Sequence, residues 1–161
     1  MRMVMLAVGI VVASFTAGPS RAMGPSSTPP SMTAPTKDPN YLAAERLIQA
    51  KDYRGAIPLL EQVVAKNPRD ADAQNNLGYS LRNLGDNRKA LAAYTKALEI
   101  DPDHKGASEY LGQLYLLMDD LPRAEERLAK LDRLCLFGCP EYRELKAAVD
   151  AYKAKARRPR S

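Results

Sequence analysis

Gly78 to Pro102 reads GYSLRNLGDNRKALAAYTKALEIDP, and the fold turns on this stretch. It predicts one helix, a tight turn at Gly85–Asp86 and a second helix closed by a proline. Displacing the sequence by 34 residues in either direction brings the same skeleton back. Ala56, Ala90 and Ala124 fall in register, as do Asp52, Asp86 and Asp120. The same holds for Ala44, Gly78 and Gly112, for Leu47, Leu81 and Tyr115, and for Leu60, Tyr94 and Leu128. Pro68 and Pro102 also match, whereas the next equivalent position holds Leu136. A period of that length, with small residues at fixed places, predicts stacked helical hairpins, because each hairpin buries its apolar face only against a neighbour.

Working outward, the first hairpin covers residues 38–70. Its first helix, Tyr41 to Lys51, carries Leu42, Ala43, Leu47 and Ile48 on one stripe. Asp52 is placed to cap the second helix by accepting from its free N–H groups. Pro58 falls inside that helix and removes one backbone bond. The second hairpin covers 71–104 and the third 105–138. In the third, Asp120 caps the second helix and Pro122 sits in its first turn, where a missing N–H costs nothing. Residues 139–156 then supply a last helix with Tyr142, Leu145, Ala148, Val149 and Tyr152 on one face, as a cap for the final hairpin.

Leu77-Gly78, Leu81, Ala90, Tyr94, Ala97 and Pro102 together resemble the tetratricopeptide repeat. Gln74 stands where that family usually has Trp. The resemblance covers about residues 38–134 and implies an all-α, right-handed solenoid of three helix-turn-helix hairpins with a C-terminal cap helix. It also implies that the first helices of successive hairpins line a concave groove for an extended peptide or a partner helix. Gly78 and Ala90 are small because the two helices of a hairpin approach closely there, and Leu81 and Tyr94 fill the space beside them.

Projecting the outward positions of those first helices gives Tyr41 and Glu45 from the first hairpin, with Ile48 and Gln49 beyond them. The second contributes Asp72, Asn75, Asn76, Tyr79, Arg82 and Asn83. From the third come Glu109 and Gln113, with Leu116 and Leu117 following. Asn and Gln both donate to and accept from a peptide backbone, and Tyr adds an amphipathic surface. These residues are the expected partner-binding groove; solvated polar helix faces are the alternative. Family members that clamp a chaperone's C-terminal carboxylate present Lys, Asn and Arg at set places. Here Tyr41, Glu45, Gly106 and Tyr110 stand at four of them and only Asn76 fits, which disfavours that sub-function.

Cys135 and Cys139 are the only cysteines. Helical spacing puts their Cα atoms about 6 Å apart, inside the disulfide range. Gly138 breaks the helix and lets the sulfurs turn together, so an oxidising compartment favours a disulfide that pins the cap helix. A redox or copper-handling CxxxC is the alternative, with the repeats as client-binding scaffold. It would want a further ligand, and the single histidine, His104, is expected in a surface loop between hairpins.

The two ends read as something other than fold. Residues 1–22 begin with one Arg and an apolar run, then offer Ser20-Arg21-Ala22 to a signal peptidase. Cleavage after Ala22 and export, to the periplasm, are expected; an uncleaved inner-membrane anchor or full secretion are the alternatives. Residues 23–37 are rich in Pro, Ser and Thr and read as a disordered linker. Seven of the 24 basic residues lie at the ends: Arg2, Arg21, Lys153, Lys155, Arg157, Arg158 and Arg160. The remaining 17 face 19 acidic side chains, so the body is near neutral and no basic face for nucleic acid is expected. The basic tail, residues 157–161, could make weak contact with an anionic envelope surface.

No metal-ligand set, phosphate-binding glycine loop or nucleophile with a histidine base is present in the sequence. The expectation is a protein–protein interaction module, an adaptor, scaffold or assembly factor, with no catalysis, no cofactor and no resident metal. Its partner would be a protein or peptide, and its oligomeric state is left open.

Overall fold

The computed structural model describes residues 37–136 and 138–156. The expected leader, nearly all of the linker and the basic tail lie outside the described residues. Among the described residues seven helices follow in order: α1 (Pro39–Gln49), α2 (Tyr53–Lys66), α3 (Ala71–Asn83), α4 (Asn87–Ile100), α5 (Lys105–Leu117), α6 (Leu121–Leu134) and α7 (Pro140–Ala156). No strand occurs among the described residues, and no helix there is long and apolar enough to cross a membrane.

A capping side chain starts each of the first six helices. The carboxylates of Asp52, Asp86 and Asp120, one period apart, accept from the backbone N–H of Gly55 (2.9 Å), Lys89 (3.1 Å) and Arg123 (3.1 Å). Each satisfies a donor that the first turn leaves free. Asp38 and Asp70 cap α1 and α3 in the same way. At α5 the capping residue is His104, whose Nδ1 accepts from the Ala107 N–H at 3.1 Å while Nε2 meets Asp72 of α3 at 3.1 Å. The expected loop histidine is therefore a half-buried cap that joins two hairpins. A ring nitrogen with a lone pair can replace the usual carboxylate.

The turns inside the hairpins repeat as faithfully. Lys51, Gly85 and Asp119, again 34 residues apart, all take a left-handed backbone, with φ of 61°, 83° and 58°. Only the central one is glycine, the residue to which that region costs nothing.

Packing explains the small positions. Ala56, Ala90 and Ala124 are fully buried, as is Ala44. A Cβ added to Gly78 would lie 2.8 Å from the Tyr94 ring, so α3 and α4 touch there as expected. Leu60, Tyr94, Leu111 and Leu114 fill the first apolar core, each with at most 3% of its surface exposed. Full burial of one such side chain stabilises the fold by roughly 1.5–3 kcal/mol. A second cluster joins Ala124 and Leu131 of α6 to Leu145 and Val149 of α7.

The order of contacts sets the curvature. The first helices neighbour one another, α1 on α3, α3 on α5 and α5 on α7, while α2, α4 and α6 make no mutual contacts among the described residues. The concave side of the solenoid is therefore built from α1, α3, α5 and α7. The cap helix does more than cover: it takes the place of a fourth first helix. Cys135 and Cys139 sit as a disulfide pair at its entrance, Cα atoms 5.4 Å apart, with Gly138 at φ 75° between them.

Candidate concave binding surface

The concave face is polar and aromatic over α1 and α3, and apolar towards α7. Tyr41 lies buried at its floor and accepts a hydrogen bond from Asn76 Nδ2 at 3.1 Å, tying α1 to α3. The Lys37 ammonium rests over the Tyr41 ring, 4.4 Å from its centroid, and pairs with Glu45 at 3.5 Å. Asn75 is also buried and reaches Asn76 through a long contact of 3.5 Å; its own Oδ1 has no partner among the described residues.

Beyond these, the residues of α3 and α5 form one connected group. Arg82 donates from Nη1 to Gln113 Oε1 at 2.7 Å, and Gln113 Nε2 donates to Glu109 Oε1 at 2.8 Å. The Arg82 guanidinium lies 5.5 Å from the Tyr79 ring and 5.3 Å from that of Tyr110. Tyr79 in turn packs at 5.8 Å against Tyr53 and at 4.9 Å against Tyr110. Such a cation held by rings and a side-chain amide is oriented before any ligand arrives. Asn83, exposed on the next turn, donates to the carbonyl of Tyr79 at 2.8 Å.

Among the residues expected in the groove, Asn76, Tyr79, Arg82, Asn83 and Gln113 keep part of their surface exposed. Tyr41, Asn75 and Glu109 are at least nine-tenths buried and support the face from beneath. Glu45 is half-buried in its ion pair. Glu109 departs most from expectation. Burial pushes its carboxyl up to about 8, helped by the neighbouring Glu144 and Glu141 of α7 and opposed by Arg82.

At its α5–α7 end the face deepens into a depression of about 1240 Å³. Arg82, Asn83 and Gln113 form one side, and Leu116 and Leu117 the floor. Ala148, Ala151, Tyr152 and Lys155 of α7 make the opposite wall. Leu117 is 63% exposed, unusual for a leucine in a concave site, and Met118 beside it is 42% exposed. Tyr152 is fixed by a bond from its hydroxyl to Asp119 at 3.1 Å. The α7 wall was not anticipated, yet it was readable: Leu145 and Val149 continue the Leu77–Leu111 and Leu81–Tyr115 register by one further period. A half-apolar depression with a few oriented polar groups suits a segment of protein chain.

Comparison with known proteins agrees with this geometry. Residues 71–104 match the tetratricopeptide repeat family. Tetratricopeptide repeat protein 1 of Schizosaccharomyces pombe is 34% identical over 98 residues, which is 56% of this chain and 9% of that protein. Cellulose synthase operon protein C of Escherichia coli K12 is 45% identical over 68 residues, 40% of this chain and 6% of that protein. The chain thus spans less than a tenth of the length of these curated relatives. Among solved structures, the Yersinia enterocolitica type III secretion chaperone SycD, in complex with a peptide of the translocator YopD, superposes with a TM-score of 0.63. The identity is 20%, with 73% of this chain and 92% of that one covered, a likeness of fold.

Proposed function

We propose that this chain, a tetratricopeptide repeat protein, is a non-enzymatic adaptor or assembly factor that holds a segment of a partner protein on its concave face. The observation that carries the proposal is the depression between α3, α5 and α7. There Leu116, Leu117 and Tyr152 present apolar surface beside Arg82 and Gln113, which are already oriented by their own contacts. Apolar side chains of the partner would supply most of the affinity, and the polar groups would fix register. The SycD structure, in complex with a peptide of the translocator YopD, supports a peptide-binding reading of the shared fold. The residues on the face bind and position; no bond is made or broken.

Export belongs to the same proposal. The leader-like residues 1–22 and the Cys135–Cys139 pair both suit an oxidising envelope compartment, and the periplasm is the destination proposed. In that setting the cysteine pair staples the entrance of α7.

The test is a crosslinking pull-down from the envelope fraction of the source cell with residues 23–161. It compares the parent with Asn76→Ala/Tyr79→Ala/Arg82→Ala and with Cys135→Ser/Cys139→Ser. Loss of a partner with the first variant alone supports the adaptor reading. A partner lost only by a folded cysteine variant places the chemistry in the thiols and overturns it.

A further inference from the structure

Among the described residues, one oriented cation on the concave face has no counter-charge. Arg82 of α3 is half-buried and held by neutral groups: Gln113 Oε1 at 2.7 Å, and the Tyr79 and Tyr110 rings at 5.5 Å and 5.3 Å. No carboxylate pairs with it there, whereas Lys37 on the same face pairs with Glu45. The acid beneath it, Glu109, is buried, and its Oε1 already accepts from Gln113 Nε2 at 2.8 Å. Burial pushes that carboxyl up to about 8, so near neutral pH it leaves the guanidinium charge standing. Arginine carries five N–H donors in a planar fork, and the bond to Gln113 engages one nitrogen. The fork that remains suits the two oxygens of a carboxylate.

The surroundings make that match selective. Leu116 and Leu117 form an apolar floor in the same depression, and Lys155 on the α7 wall adds a second positive charge. Among the described residues Asp119 is the one acid lining it, and its Oδ1 accepts from the Tyr152 hydroxyl at 3.1 Å. A segment that seats apolar side chains on Leu116 and Leu117 also strips water from the guanidinium. Without an acid in that segment the charge is left desolvated and unpaired, a penalty that a carboxylate at that point removes. A basic segment would be repelled by both Arg82 and Lys155.

We infer that the segment held on this face is acidic and apolar: an aspartate or glutamate side chain within it lands on Arg82, and its apolar neighbours cover Leu116 and Leu117. This specificity rests on the concave face being the partner-binding surface, and it adds the chemistry of the partner. It is distinct from capture of a chain's C-terminal carboxylate, for which Tyr41, Glu45, Gly106 and Tyr110 lack the cations. The acid here is an internal side chain.

The experiment pans a phage-displayed library of random short peptides against the purified, immobilised chain. Targets are the parent, Arg82→Glu and Leu117→Lys. Peptides enriched on the parent are synthesised, each beside a version with its acids exchanged for the amides, and affinities are read by fluorescence polarisation. Expected are parent-selected sequences with Asp or Glu beside large apolar residues, and a loss of about tenfold to a hundredfold on acid-to-amide exchange. Arg82→Glu should select basic sequences instead. If Arg82→Glu does not fold, the exchange decides the matter, since it leaves the chain unaltered. Peptides lost with Leu117→Lys that carry no acid, tolerate the exchange, or keep their acid dependence on Arg82→Glu overturn the inference and leave the concave-face reading standing. If no peptide binds, or binding ignores both substitutions, the concave-face reading fails and the specificity falls with it.

Discussion

Leu145 of α7 lies directly over Gly112 of α5: a Cβ built on that glycine would come within 2.5 Å of Leu145 Cδ2 and 2.8 Å of Cδ1. This contact lets α7 approach closely enough to complete the inner layer. Because Leu145 is fully buried, it has no free volume into which to retreat.

Gly112→Ala should therefore destabilise the fold by about 1–3 kcal/mol, although alanine is the better helix former. Urea denaturation checks the total. Amide exchange should locate the loss in α7, leaving α1 to α4 as protected as before.

Tyr94 offers the opposite case. Its ring is fully buried against α3, yet its hydroxyl has no hydrogen-bond partner among the described residues, and burial pushes it well above the ordinary tyrosine range. Tyr94→Phe removes a stranded polar atom while keeping the ring that faces Gly78. Thermal melting should show stability equal to the parent or raised by up to about 1–2 kcal/mol. A clear loss would mean that the hydroxyl is satisfied in solution.

The three hairpin turns share a left-handed backbone at one position and differ in the side chain it carries. Lys51 and Asp119 adopt the left-handed backbone that Gly85 adopts freely. Lys51→Gly should be neutral to stabilising by up to about 1 kcal/mol, because strain relief slightly exceeds the added freedom of the unfolded chain. Gly85→Ala should destabilise by a similar amount. Paired chemical denaturation of the two variants gives both signs in one experiment.

Cys135 and Cys139 close a very short loop, so their bond restrains the unfolded chain only modestly. Reduction, or Cys135→Ser/Cys139→Ser, should cost about 2 kcal/mol and act on α7 first. Melting with and without reductant tests the magnitude, and exchange mapping tests the location.

Much of this architecture was legible in the sequence because solenoid packing is local. The register of Ala56, Ala90 and Ala124 reports close helix approach, and the aspartates at Asp52, Asp86 and Asp120 report helix starts; each needs only its own hairpin. The concave face was less legible, because projecting one helix at a time ignores the next helix along. Glu109 points outward on α5 viewed alone, but α7 lies against that side and buries it. Tyr41 likewise disappears beneath the bond it accepts from Asn76 across the hairpin boundary. The sequence alone points to a loop for His104 because capping histidines carry no spacing signature; Asp72 and the Ala107 N–H hold the ring in place.

The central claim, that the face built by α3, α5 and α7 holds a partner segment, is tested most directly by site-specific photocrosslinking in the source cell. A photoreactive amino acid is placed at exposed Leu117 or Asn83 on the concave side, and at exposed Thr95 or Glu126 on the outer helices. The account predicts one discrete adduct from the concave positions, diminished by Arg82→Ala, and none from the outer ones. Adducts from Thr95 or Glu126 with none from Leu117 and Asn83 would contradict it.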